Sequence, residues 1–214
     1  MKASYKFTKC SGFTLIEIII TLVIVSILST MVVTYMGTSF QQSSRPIHNY
    51  QKTLELHQTM ENILAHYKSL MEENAVWGQD TNYAEGDVVT PKTLNGHRYI
   101  CITPAGGMSD TGGIEPTWTV NWPDVKNPID DNAIQWMESL AWLKINKIGI
   151  EDPDNKQDNT YGAYFSIENR FIKFKPDGTE DPAGIANGDP ADILKVTIAN
   201  DIGQILTNLY TVSD

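Results

Sequence analysis

One acid stands where acids are costly. Glu17 is followed by Ile18 to Met36, a run of 19 residues with no charge. An ionised carboxylate beside such a run needs a partner or a route to the membrane interface. The other residue types able to do chemistry are scattered. His57 and His66 fall on a helical pattern, without a second His or Cys at metal spacing, and read as helix-surface residues. His48 and His97 are the remaining histidines, and Cys10 and Cys101 the two cysteines. Asp152, Asp154 and Asp158 supply hard oxygens of the kind calcium prefers. Their spacing is not that of an EF-hand loop and no Glu closes it, so a solvated acidic loop is the expectation. No phosphate-binding glycine loop, no nucleophile elbow and no Cys/His cluster is present. No active site, no cofactor and no enzymatic role is expected.

The elements that position Glu17 come next. The first twelve residues carry Lys2, Lys6 and Lys9 and no acid. Positive charge before an apolar run holds that end in the cytoplasm. As a helix the run spans about 28 Å at ~1.5 Å per residue, close to the ~30 Å hydrocarbon core of a bilayer. A secretory signal would have a shorter apolar region and a small-residue cleavage site after it. Neither is found.

The string Gly12-Phe13-Thr14-Leu15-Ile16-Glu17 follows the lysines and opens the apolar helix. It resembles the class III signal of type IV prepilins and type II secretion pseudopilins. The resemblance covers residues 1 to about 40. It implies cleavage by prepilin peptidase after Gly12, and N-methylation of Phe13 as the new N-terminus. It also implies that Glu17 pairs with the N-terminal amine of a neighbouring subunit, which would offset its burial. If Cys10 leaves with the leader, Cys101 remains alone and no intramolecular disulfide can form.

Beyond the membrane, Ile47, Tyr50, Leu54, Met60, Leu64, Tyr67 and Met71 recur at mostly three- and four-residue steps, an amphipathic helix. Pro46 is expected to kink or break it near Ser44–Arg45, and Asn74 to end it. The expected organisation is a leader at 1–12, a transmembrane and filament-core helix at 13–37 and an amphipathic helix at 38–76. An inserted β-module at 77–137 and a β-sheet head at 138–214 complete it.

Residues 77–137 are rich in Gly, Pro, Asn, Thr and Trp. Asp87–Thr90 and Arg98–Thr103 are strand candidates with Asn95-Gly96 as a turn between them. Gly106-Gly107 and Gly112-Gly113 mark loops. The series Trp77, Tyr83, Gly86-Asp87-Val88-Val89, Gly96, Tyr99, Cys101, Glu115-Pro116, Trp118, Asp131-Asn132 and Trp136 is similar to the small β-modules of phage tail proteins and carbohydrate-active enzymes, the chitin-binding type among them. It departs from them between Trp118 and Asp130. Tyr83, Tyr99 and Trp136 are expected in a core. Trp118 and Trp122, in Pro-flanked loop sequence, are the candidates for exposed glycan-stacking faces.

From Met137 to Ile145 a short helix or extended connection is expected, then the acidic loop. Tyr161–Glu168 and Arg170–Lys175 could pair as a hairpin. Pro176-Asp177-Gly178 and Asp201-Ile202-Gly203 read as turns. Ile193–Ala199 alternates as a half-buried strand, and Gln204–Thr211 can close the sheet. This half resembles minor pseudopilins of the H type. Helix first and strands after make the fold class α+β.

Charge narrows the function. The chain holds 16 basic and 26 acidic residues, a net −10. That argues against a general nucleic-acid binder, which needs clustered cations. DNA uptake would require Lys92, Arg98, Arg170, Lys173 and Lys175 to gather. The resemblance implies a minor pilin or pseudopilin, seated in the inner membrane before assembly and in a periplasmic pseudopilus or extracellular pilus after. Its expected partners are other pilin subunits, prepilin peptidase and the inner-membrane assembly platform. A glycan is the further candidate, through residues 77–137.

Overall fold

A computed structural model describes residues 12–72, 75–109 and 113–212, with side chains for all of these except 38–39 and 41–44. The leader residues Lys2, Lys6, Lys9 and Cys10, and also Asn74 and Gly112, lie outside the described residues. The chain divides into two units, residues 1–50 and 51–214.

Helix α1 is assigned from Leu15–Glu72 and crosses that division. The expected break at Pro46 does not occur; Pro46 lies inside the helix. Proline removes one i to i−4 hydrogen bond, here the one to the carbonyl of residue 42, and the turns on either side carry the helix through.

In residues 51–214 the C-terminal part of α1 covers a four-stranded antiparallel sheet. Its strands are β7 (Asp152–Asn159), β8 (Gly162–Ile172), β9 (Ile193–Ala199) and β10 (Ile205–Thr211), in the order β10-β9-β8-β7. The helix buries Leu56, Met60, Ile63, Leu70 and Met71 against Tyr164, Phe171, Leu194, Val196, Ile198 and Tyr210. Each large aliphatic side chain so buried contributes roughly 1.5–3 kcal/mol. The buried stripe is narrower than the sequence pattern. Ile47, Tyr50 and Leu54 are exposed, and within residues 51–214 the β9–β10 turn meets the helix near Leu54 with polar groups. The Asn200 amide donates to the Lys52 carbonyl at 3.2 Å, and the Thr53 hydroxyl to Gln204 Oε1 at 2.7 Å.

Two expectations for this sheet are corrected. The acidic stretch 152–159 is not a loop but edge strand β7, irregular between Asp152 and Gln157. Pairing with β8 satisfies backbone groups that would otherwise need water. Nor do Tyr161–Glu168 and Arg170–Lys175 form a hairpin; Gly162–Ile172 is one strand. Its register on β9 shifts between Ser166 and Glu168. That bulge reverses the parity of the buried side chains, from Tyr164 and Ser166 to Asn169 and Phe171. The interrupted alternation imitates a turn.

Between α1 and this sheet the chain builds a second one. Strands β2 (Val88–Val89), β3 (Tyr99–Cys101), β6 (Ile134–Glu138) and β5 (Ile129–Asp131) stand in that order, beside the small ribbon of β1 (Asn82–Tyr83) and β4 (Gly107–Met108). Side chains alternate across a strand, and here both faces are buried. Val88, Ile100 and Met137 enter the helix–sheet core. Their neighbours Val89, Tyr99, Cys101 and Trp136 enter a second core with Trp77, Tyr83 and Ile134. One β-sheet thus serves two cores, and residues 51–214 form one compact unit. Helix α2 (Ser139–Trp142) and a π-helical stretch, Leu143–Ile148, connect to β7. The architecture is α+β.

Candidate processing and assembly site

Glu17 lies in the first turn of α1. Gly12, Phe13 and Thr14 precede that helix in non-helical backbone, and Phe13 is 77% exposed. Thr14 closes the helix start. Its carbonyl accepts from the amides of Glu17 at 3.1 Å and Ile18 at 3.3 Å. Its hydroxyl accepts from the Glu17 amide at 3.4 Å. These are N-cap contacts, and Thr14-x-x-Glu17 has the spacing of a capping box. The sequence carries that spacing in Thr14 and Glu17. The positive end of the helix dipole also favours a carboxylate in this turn.

The helix that carries Glu17 is apolar over Leu15–Gly37, with mean hydropathy 2.6 and none of it buried within the structure. Its hydroxyls add little polarity. Thr21, Ser26, Thr30 and Thr34 donate to the carbonyls of Ile18, Leu22, Ile27 and Thr30 at 2.7–2.9 Å. Such back-bonding satisfies a hydroxyl without outside partners. The Glu17 carboxylate is different. It is exposed, it is the only charged side chain of the span, and nothing among the described residues pairs with it.

The other sequence candidates do not gather into a site. Trp118 and Trp122 share no open face. Trp118 is half-buried in the second core, its ring 4.5 Å from that of Tyr99 and 6.0 Å from that of Trp136. Its indole nitrogen donates to Glu115 at 2.7 Å. Trp122 is half-buried on the first core, 5.9 Å from Phe171, with Lys126 Nζ 5.3 Å over its ring. Each packs one side of its ring on a different core and keeps part of its surface exposed.

Asp152, Asp154 and Asp158 lie on strand β7. Asp152 turns its carboxylate onto the amides of Asp154 and Asn155 and the side chain of Asn155. No group of three or more metal-ligating side chains occurs among the described residues. Several of the basic residues are engaged with other groups. Arg98 is buried, Lys92 lies over the Trp77 ring, Arg170 pairs with Glu168 and Glu180, and Lys173 pairs with Asp189. Cys101 is buried and burial pushes its thiol up, away from a reactive thiolate.

Two of the four histidines are structural. The His66 ring nitrogen Nδ1 lies 2.7 Å from the Tyr161 hydroxyl, and the ring packs edge-on to Trp142. His97 is buried between Glu138, at 3.3 Å, and Asp192, at 3.2 Å. Its two nitrogens tie the second sheet to the start of β9. Nothing in the sequence pairs residues this far apart.

Comparison with known proteins bears on the N-terminus. The family model of the prokaryotic N-terminal methylation motif matches residues 7–33. No curated protein and no solved structure matches the chain. The motif, set on a helix long and apolar enough to cross a membrane, supports a membrane-anchored, pilin-like subunit processed by prepilin peptidase.

Proposed function

We propose that the chain is a minor pilin or pseudopilin, cut after Gly12, methylated on Phe13 and assembled into a type IV pilus or type II secretion pseudopilus. The observation that carries this reading is the Glu17 carboxylate, the one charge on an exposed apolar helix, without a partner among the described residues. A carboxylate there is costly unless it pairs or reaches the interface, and pairing offsets that cost. The amine released at Phe13 is a cation of matching depth, and a neighbouring subunit supplies it. Register follows, because each Glu17 seeks one amine along the filament axis. Helices 13–37 hold subunits in the bilayer and then pack in the filament core. The unit 51–214 is displayed outward.

Removing the leader takes away three lysines and no acid, leaving 13 basic against 26 acidic residues. The displayed surface is therefore anionic, which disfavours DNA as its ligand. The reading makes the protein a substrate of an enzyme and a structural subunit.

The test is intact-mass analysis of the protein from its native membrane or filament fraction. A chain beginning at N-methylated Phe13 supports the reading. A chain retaining Gly12 and the residues before it overturns it. Two variants separate the steps. Gly12→Ala should leave the leader attached. Glu17→Ala should be processed and then fail to enter filaments; normal incorporation would remove Glu17 from the mechanism.

A further inference from the structure

The scissile bond proposed above lies between Gly12 and Phe13, and Thr14 is the residue that keeps it out of the helix. A peptide bond inside an α-helix is a poor substrate. Its carbonyl is hydrogen-bonded along the axis and its flanking side chains wrap the backbone. Cleavage needs an extended segment whose carbonyl a catalytic group can approach. In this chain the boundary between the two states is sharp. Gly12, Phe13 and Thr14 are non-helical, and Leu15 is the first helical residue.

The contacts that draw the boundary all converge on Thr14. Its carbonyl receives the Glu17 and Ile18 amides, and its hydroxyl receives the Glu17 amide at 3.4 Å. The sequence holds a competing cap. Ser11 lies three residues upstream and is of the same N-capping type. A helix begun from Ser11 would place Gly12 and Phe13 in its first turn and the scissile bond inside it. Gly12 has poor helix propensity but does not forbid such a start.

We propose that Thr14 is a positioning residue for leader removal: its cap sets the helix start at Leu15 and leaves Gly12–Phe13 extended for the peptidase. This rests on the reading of Gly12 as the cleavage site. Thr14 itself touches no reacting atom; it acts through the backbone of the two residues before it.

The test is a time course of leader removal on the full-length chain in detergent micelles, with membranes containing prepilin peptidase, read by intact mass. Backbone carbon chemical shifts of Gly12 and Phe13 are recorded in the same micelles. Thr14→Ala should be cut about fivefold more slowly, the factor that loss of one N-cap ordinarily represents, and its Phe13 shifts should move toward helical values. Thr14→Ser keeps the hydroxyl and should restore both. Thr14→Ala combined with Leu15→Pro is the decisive variant. Proline suits the first helical position and drives the residue before it out of the helical region, so it rebuilds the boundary without the hydroxyl. Recovery of cleavage in that double variant supports the positioning role. If Thr14→Ala is cut as fast as the wild type, or the double variant stays slow although its Phe13 shifts are extended, the proposal is overturned. If the wild type itself is never cut, the fault lies with the cleavage reading and not with Thr14.

Discussion

The indole nitrogen of Trp77 lies 2.8 Å from Asp131 Oδ2, although 54 residues separate the two in the chain. The same oxygen accepts from the Trp136 indole at 2.9 Å. Asp131 is 3% exposed. One carboxylate thus ties the entry of the second sheet to its β5 and β6 strands, inside the core those rings fill.

Removing that acceptor leaves two buried indole donors unmet, each carrying a desolvation penalty. Asp131→Ala should lower the stability of residues 51–214 by about 2–4 kcal/mol. Asp131→Asn, which keeps an acceptor, should lose about 1 kcal/mol. Urea unfolding of the full chain in micelles, followed by near-UV circular dichroism of the tryptophans, measures both. Equal losses in the two variants would show that charge, and not acceptance, holds the rings.

The ion pairs on the sheet surface should matter much less. Glu180 contacts Arg170 and Lys195, each at 2.8 Å, but the Arg170 side chain is 40% exposed. Glu180 and Lys195 are more shielded, at 27% and 19% exposure, but pairs this open to solvent are still screened by water and salt. Glu180→Ala should cost less than about 1 kcal/mol, and the cost should shrink in high salt. A loss as large as that of Asp131→Ala would contradict this ranking.

His66 predicts a pH dependence. Burial disfavours its charged form and the nearby Lys147 ammonium opposes it further, so it titrates below an ordinary histidine. In the unfolded chain the same ring takes up its proton near pH 6.5. Below that value the unfolded state binds more protons than the folded one, and stability falls with pH until the folded ring titrates too. His66→Gln should therefore flatten the stability profile between pH 7 and 5. The profile is read from urea midpoints of both proteins at each pH, and identical slopes would count against it.

Gly106 holds a backbone that other residues enter at a cost. Its φ is +64°, and a Cβ there would run into the Tyr83 carbonyl. That carbonyl is fixed by pairing of β1 with β4 and cannot retreat. Gly106→Ala should destabilise by about 1–3 kcal/mol, while Gly86→Ala, at φ +92° with open space around it, should lose less. Thermal melts of the two variants make the comparison.

The N-terminal motif was legible because it is local. Gly12, Phe13 and Glu17 fall within six residues, and the span is a matter of composition; helix geometry converts both into structure without help from the rest of the chain. Strand β9 was legible for a similar reason. One of its faces is core throughout, so apolar Leu194, Val196 and Ile198 alternate in the sequence with Lys195 and Thr197, although Thr197 is buried too. Strand β8 was not, because its bulge near Ser166 reverses the alternation, and only the pairing with β9 reveals the two halves as one strand. Edge strand β7 was hidden by its acids, which its open side tolerates. Trp118 and Trp122 carried the same loop signal, and only packing sent each into a different core. The His97 pair with Glu138 and Asp192, and the Asp131 link between two indoles, depend on contacts across dozens of residues. Short-range pattern records which side chains a helix or strand must bury. Which distant groups meet there is decided when the chain closes on itself, since the partner that satisfies a buried polar atom is chosen by geometry and not by proximity along the sequence.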